Sequence, residues 1–197
     1  VGLVRTVAPA SEPVSLAEAK AQCRIDSTDE NDLVSALIAT SRTHLEEITW
    51  RAFITQTWRL TLRGFPCGGQ PLVLPRPLLI AVGSIAYLDT AGDSQTLSAS
   101  DYVVDASAEP GTIEPAYGHS WPTTRDHPAA VTITYTAGFG NAAAVPPDLV
   151  HAMKLLIGHY FENREAVTQG GMNELPLAVR ALVAPWLVRD DRLLEVL

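Results

Sequence analysis

An α+β fold is predicted from three features of the 197-residue chain. Apolar residues recur at helical spacing up to about Thr49, alternate with polar ones from Thr55, and return to helical spacing after Pro147. The expected architecture is a helical bundle formed by the N- and C-terminal helices, with an inserted antiparallel β-sheet or sandwich block. In domain terms, residues 1–53 and 145–197 form the helical part and residues 54–144 the inserted β part.

The first helix is announced by Ser15-Leu16-Ala17-Glu18, a capping box in which the serine hydroxyl and the glutamate carboxylate each satisfy a backbone N–H. Leu16, Ala19 and Cys23 then share a face, and Asp26-Ser27-Thr28-Asp29 ends the helix. A second helix is expected from Thr28 or Asp29 to about Thr49, with Asp29, Glu30 and Asp32 at the positive end of its dipole. Its core stripe is read as Leu33, Leu37, Ile38, Leu45 and Ile48, leaving Glu46 and Glu47 on the outer side.

From Thr55 the period falls to two: Trp58, Leu60 and Leu62 alternate with Thr57, Arg59 and Thr61. Further strands are expected at 71–74, 82–88, 94–97, 102–104, 111–114 and 130–136. They are separated by turns at Gly68-Gly69, Thr90-Ala91-Gly92-Asp93, Glu109-Pro110-Gly111 and residues 119–127. After Gly138-Phe139-Gly140, Pro146 and Pro147 suit a helical first turn, where a missing N–H costs nothing. Leu149, Met153, Leu156 and Tyr160 form the stripe of that helix, with Val150 and Ile157 beside it. A Gly170-Gly171 link precedes a short helix opened by Leu175-Pro176, bearing Leu175, Val179, Leu182 and Val183, and stopped by Pro185.

Composition narrows the function. Charged residues make up 18% of the chain, against about 25% in an ordinary soluble domain, which is expected if another chain covers part of the surface. The net charge of −8 argues against a nucleic-acid reader, which carries a basic footprint. No run of 18 apolar residues and no secretory leader occurs, so a soluble, cytosolic chain is expected. It begins at Val1, read as a missing or processed initiator. Cys23 and Cys67 have no metal spacing and are read as a buried thiol and a loop thiol.

Signatures of catalysis are thin. His44-Leu45-Glu46-Glu47 lacks the second histidine of a zinc-binding H-E-x-x-H helix. His151 and His159 stand about two helical turns apart, too far along the axis for a common ligand. His119, Ser120, Asp126 and His127 share a polar loop, but no G-x-S-x-G elbow accompanies them. Gly138-Phe139-Gly140 lacks the third glycine of a phosphate loop. The four tryptophans are scattered and form no base-stacking platform. No enzymatic activity, cofactor or metal is expected.

Three stretches together resemble one known family. They are Pro13-Val14-Ser15-Leu16-Ala17-Glu18-Ala19-Lys20 with Cys23-Arg24-Ile25-Asp26 and Asp29-Glu30-Asn31-Asp32-Leu33; Glu46-Glu47-Ile48-Thr49-Trp50-Arg51-Ala52 with Ile54-Thr55-Gln56-Thr57-Trp58; and Tyr160-Phe161-Glu162-Asn163-Arg164-Glu165-Ala166-Val167 with Glu174-Leu175-Pro176-Leu177-Ala178-Val179-Arg180-Ala181-Leu182. In this order and spacing they look like the head–tail connector, or adaptor, proteins of long-tailed bacteriophages and phage-like gene transfer agents. The chain departs from the family at Gln22-Cys23, where a histidine–leucine pair is common, and in its large β block. The resemblance implies a non-catalytic subunit of a homo-oligomeric ring of about twelve copies. That ring sits beneath a portal protein and above a tail-side connector, stopper or tail terminator. It is part of the virion, is assembled in the host cytoplasm, and leaves a channel through which DNA passes without sequence-specific binding; no membrane is involved. The short C-terminal helix is read as a docking arm, with Leu175, Val179, Arg180, Leu182 and Trp186 at a protein–protein interface; the alternative is that it packs on its own subunit. Two other classes compete: a ligand- or carbohydrate-binding β module on a virion or cell surface, and a small hydrolase using His119 or His127.

Overall fold

A computed structural model describes residues 2–163 and 176–188, and the fold is α+β. These residues divide into two compact units, one of residues 2–9, 55–138 and 188, the other of residues 10–54, 139–163 and 176–187.

The second unit is helical. Its elements are α1 (Leu16–Cys23), α2 (Asn31–Thr49), α3 (Pro147–Glu162) and α4 (Leu177–Val183). The predicted capping box is present: Ser15 Oγ accepts the Glu18 N–H, and a Glu18 carboxylate oxygen accepts the Ser15 N–H at 3.0 Å. α2 ends where Trp50 takes a left-handed backbone, φ 58°. Val34, Ile38, Leu45, Leu149, Ala152, Met153, Leu156, Ile157, Val179 and Val183 are buried together, so α2, α3 and α4 share one core. The buried stripe of α2 is Val34, Ile38, Ser41, Arg42, Leu45, Glu46 and Thr49. Leu33, expected inside, is exposed, and Leu37 and Ile48 are only partly covered. The apolar residues alone left the helix phase open by one position, and packing against α3 chose the Val34 side.

Leu45 is wholly buried. Leu45→Ala is therefore expected to lower the unfolding free energy by about 2–5 kcal/mol. Leu33→Ala should change it by less than about 0.5 kcal/mol. Urea denaturation of the two variants checks the phase; equal losses would mean that the stripe is misplaced.

The first unit is built of strands. A five-stranded antiparallel sheet runs in the order β1-β2-β8-β4-β5, and a three-stranded one in the order β3-β7-β6. Their ranges are β1 Gly2–Val7, β2 Gln56–Leu62, β3 Leu72–Val73, β4 Leu79–Leu88, β5 Ser94–Thr96, β6 Tyr102–Asp105, β7 Thr112–Pro115 and β8 Val131–Ala137. Each strand predicted between 55 and 137 has a counterpart, with β4 starting at Leu79 rather than Val82. The alternation is kept: Trp58, Leu60 and Leu62 of β2 face inward, as do Val131, Ile133 and Tyr135 of β8, where the two strands pair. The Leu74 N–H donates to the Gly111 carbonyl at 2.9 Å, continuing the β3–β7 ladder, and there Gly111 comes close to Leu79 of the larger sheet. A side chain at Gly111 would put its Cβ 2.6 Å from that of Leu79, so only glycine allows this approach.

β1 was not expected. Gly2-Leu3-Val4-Arg5-Thr6-Val7 shows no clean alternation, and all its residues but Leu3 are exposed. Its conformation comes from pairing with β2, a contact across more than fifty residues of sequence.

Candidate interaction surfaces

α4 has seven residues, too few for a stable helix on its own in water, so what it packs on decides its role. Val179 is 0% exposed and Val183 is also buried, both within the core of the helical unit. Leu182 and Trp186 lie half-buried against the same core. Trp186 is held on two sides. Arg51 Nε–H donates to the Trp186 carbonyl at 2.7 Å, with the guanidinium carbon 5.9 Å from the ring centroid. The Phe139 ring meets it edge-on at 5.8 Å. The outward side of α4 carries Arg180 and Leu177, the latter 81% exposed. Of the five residues expected at an interface, the structure thus turns Val179 inward, places Leu182 and Trp186 at the margin and Arg180 outside. Leu175 lies outside the described residues.

Glu46 corrects the sequence reading. It is not on the outer side of α2; it is buried, four residues after a buried Arg42. Arg42 donates to a Glu12 carboxylate oxygen and to Glu46 Oε2, each at 2.7 Å, and Glu46 Oε1 accepts the Phe53 N–H at 2.8 Å. Burial alone would push the Arg42 pKa down; the hydrogen bonds and charges of Glu12 and Glu46 outweigh it and hold the guanidinium above its ordinary value. This clasp ties the chain before α1, the middle of α2 and the segment after it. The signal was legible: Arg42 and Glu46 follow Ile38 by four and eight positions, on the apolar face.

At the surface, Lys154 of α3 donates to Glu18 of α1 at 2.8 Å. That hydrogen bond, with the two from Ser15, lowers the Glu18 pKa from 4.5 to about 2. A pKa lower in the folded state adds stability above the unfolded value, lost as pH falls through the folded one. For this exposed pair the effect is about 1 kcal/mol at most. Glu18→Gln should lower the melting temperature slightly at neutral pH, and the difference should vanish between about pH 4.5 and 2. A gap that persists at acid pH would assign the effect to something other than the charge.

The loop residues considered for hydrolysis do not converge. His119 pairs with Asp101 at 3.5 Å, Asp126 with Arg63 at 2.8 Å, and His127 Nδ1 accepts the Ala129 N–H. Among the described residues, no three His, Cys, Asp or Glu side chains stand close enough to hold a metal. Half-buried Cys23 has its pKa raised, first by burial and then by Glu162 and Glu30, which disfavours the reactive thiolate. Cys67 is exposed. Trp121 stacks on Phe65, centroids 4.9 Å apart, and donates to the Gln70 carbonyl. No helix among the described residues is long and apolar enough to cross a membrane.

The fold is that of components of a virion neck. Over 96% of this chain and 97% of the other, it is similar to a chain in the neck of an empty gene transfer agent particle computed with C6 symmetry, at 25% identity and a TM-score of 0.79. The neck of a native particle computed with C12 symmetry holds a chain similar over the same shares, at 25% identity and a TM-score of 0.72. The virion of the native gene transfer agent particle holds one at 23% identity and 0.77, a likeness of fold alone. No protein-family model and no curated protein sequence matches the chain.

Proposed function

We propose that the chain is a head–tail adaptor: a structural, non-catalytic subunit of a ring in the neck of a phage-like particle, between the portal and the tail-side proteins. The observation that carries this reading is the likeness over nearly the whole chain to chains of gene transfer agent necks computed with C6 and C12 symmetry. A ring of about twelve copies matches the second of these. Every subunit brings a net charge of −8. A lumen that keeps part of that charge would repel phosphate and let DNA pass without sticking, since attraction to the backbone needs Lys and Arg. The outward side of α4, with Arg180 and the margins of Leu182 and Trp186, is the surface proposed to meet the portal or a neighbouring subunit; Leu175 would extend it.

Light scattering on the full chain, alone and mixed with the portal of its own particle, tests the reading. The expected result is a joint complex showing a closed ring by electron microscopy. A chain that stays monomeric both alone and with the portal would overturn it.

A further inference from the structure

Among the described residues, the five-stranded sheet has two backbone edges without a further strand, and they run in opposite directions. β1 pairs with β2 alone among the described residues. β5 covers the outer side of β4 from Ala86 to Leu88, extended by the Leu97 N–H donating to the Ile85 carbonyl at 2.8 Å. The earlier half of β4, from Leu79 to Ser84, pairs with β8 alone among the described residues. There Ile80 is 47% exposed, and Ala81, Gly83 and Ser84 are exposed too.

Unpaired edges invite another chain, and natural sheets blunt them with charge or proline. Charge and proline are sparse on these edges, and register shifts bend both. β1 carries one charge, Arg5, no proline, and Val4 and Val7 at 50% and 56% exposure. Residues 79–84 read Leu-Ile-Ala-Val-Gly-Ser, with no charge at all. Both stretches are six residues long.

We infer that β1 of one copy adds antiparallel to the open half of β4 in the next, so that these two edges form the joint of the ring; this rests on the ring reading above. Strand directions single out that joint. β1, β2, β8 and β4 alternate, every pair antiparallel, so β1 and β4 are opposed. Set side by side, two copies continue the alternation without a parallel step. Pairing β1 with β1 would make an isologous dimer and leave the β4 edge open, whereas a head-to-tail joint repeats and closes into a ring. Register shifts between Leu79 and Ala81 and between Val82 and Ser84 bend this half of β4. They hold the joint to a few residues, so each contact is weak alone and the closed ring carries the strength.

The joint is tested by cross-linking the full chain, with Cys23 and Cys67 replaced by serine and with V4C and I80C introduced singly and together. A short bis-maleimide spans neighbouring registers. The double variant is expected to give a ladder of linked copies, and each single variant no ladder, because like edges do not meet. Hydrogen exchange on the unaltered chain provides a second readout: amides of residues 2–7 and 79–84 should gain protection as concentration rises. Absence of both the ladder and the protection overturns the joint. Sedimentation of the same samples separates the two readings: multimers without the link leave the ring standing on other contacts, whereas a monomer at every concentration overturns the joint and leaves the ring to the mixture with the portal.

Discussion

Glu46→Ala is expected to destabilise the helical unit by about 3–5 kcal/mol, because it leaves a buried guanidinium without one of its two carboxylates. Arg42 donates to Glu12 and Glu46 at 2.7 Å, and the second carboxylate oxygen of Glu46 takes up the Phe53 N–H. Alanine therefore takes one of two partners from a buried charge and the acceptor from a backbone donor together. Glu47→Ala, one position on and exposed, should cost no more than about 1 kcal/mol. Arg42→Met combined with Glu46→Leu should recover part of the loss, since both buried charges go together and Glu12, its side chain 31% exposed, can turn to water, while the Phe53 N–H still lacks its acceptor. Chemical denaturation of these variants gives the answer. A cost for Glu46→Ala no larger than that for Glu47→Ala would mean that the clasp contributes nothing in solution.

Truncation after Asn173 is expected to lower the stability of the isolated subunit by about 3–6 kcal/mol, from loss of the two buried valines alone. Val179 and Val183 complete the core formed with α2 and α3, and Trp186 is held by Arg51 and Phe139. An arm used only for docking would leave the melting temperature unchanged when removed. A separate variant, Leu177→Asp with Arg180→Glu, alters only exposed positions of α4. It should keep the melting temperature and weaken assembly onto the portal. Unchanged assembly by that variant would remove the docking role from this face.

Local chemistry wrote much of the fold into the sequence. The Ser15–Glu18 capping box, the Pro147 start of α3 and the alternation of β2 and β8 depend on neighbours a few residues away. The phase of α2 was less legible, because Leu33 and Val34 are equally apolar and only the partner helix distinguishes them. Of the proposed interface, the spacing of α4 placed Val179 and Leu182 on one side without saying whether that side met its own subunit or another.

The sequence by itself determined the α+β class, the order of helix and strand, and the acidic, sparsely charged character of the chain, since period, caps and composition are local or additive properties. Tertiary structure decided what depends on distant partners. Glu46 is inside because Arg42 and the Phe53 N–H are there to meet it. Gly2–Val7 is a strand because β2 lies beside it. Among the described residues, the first half of β4 pairs on one side alone because β5 reaches only its second half, and hydrogen bonds between remote segments leave no periodic trace in either one.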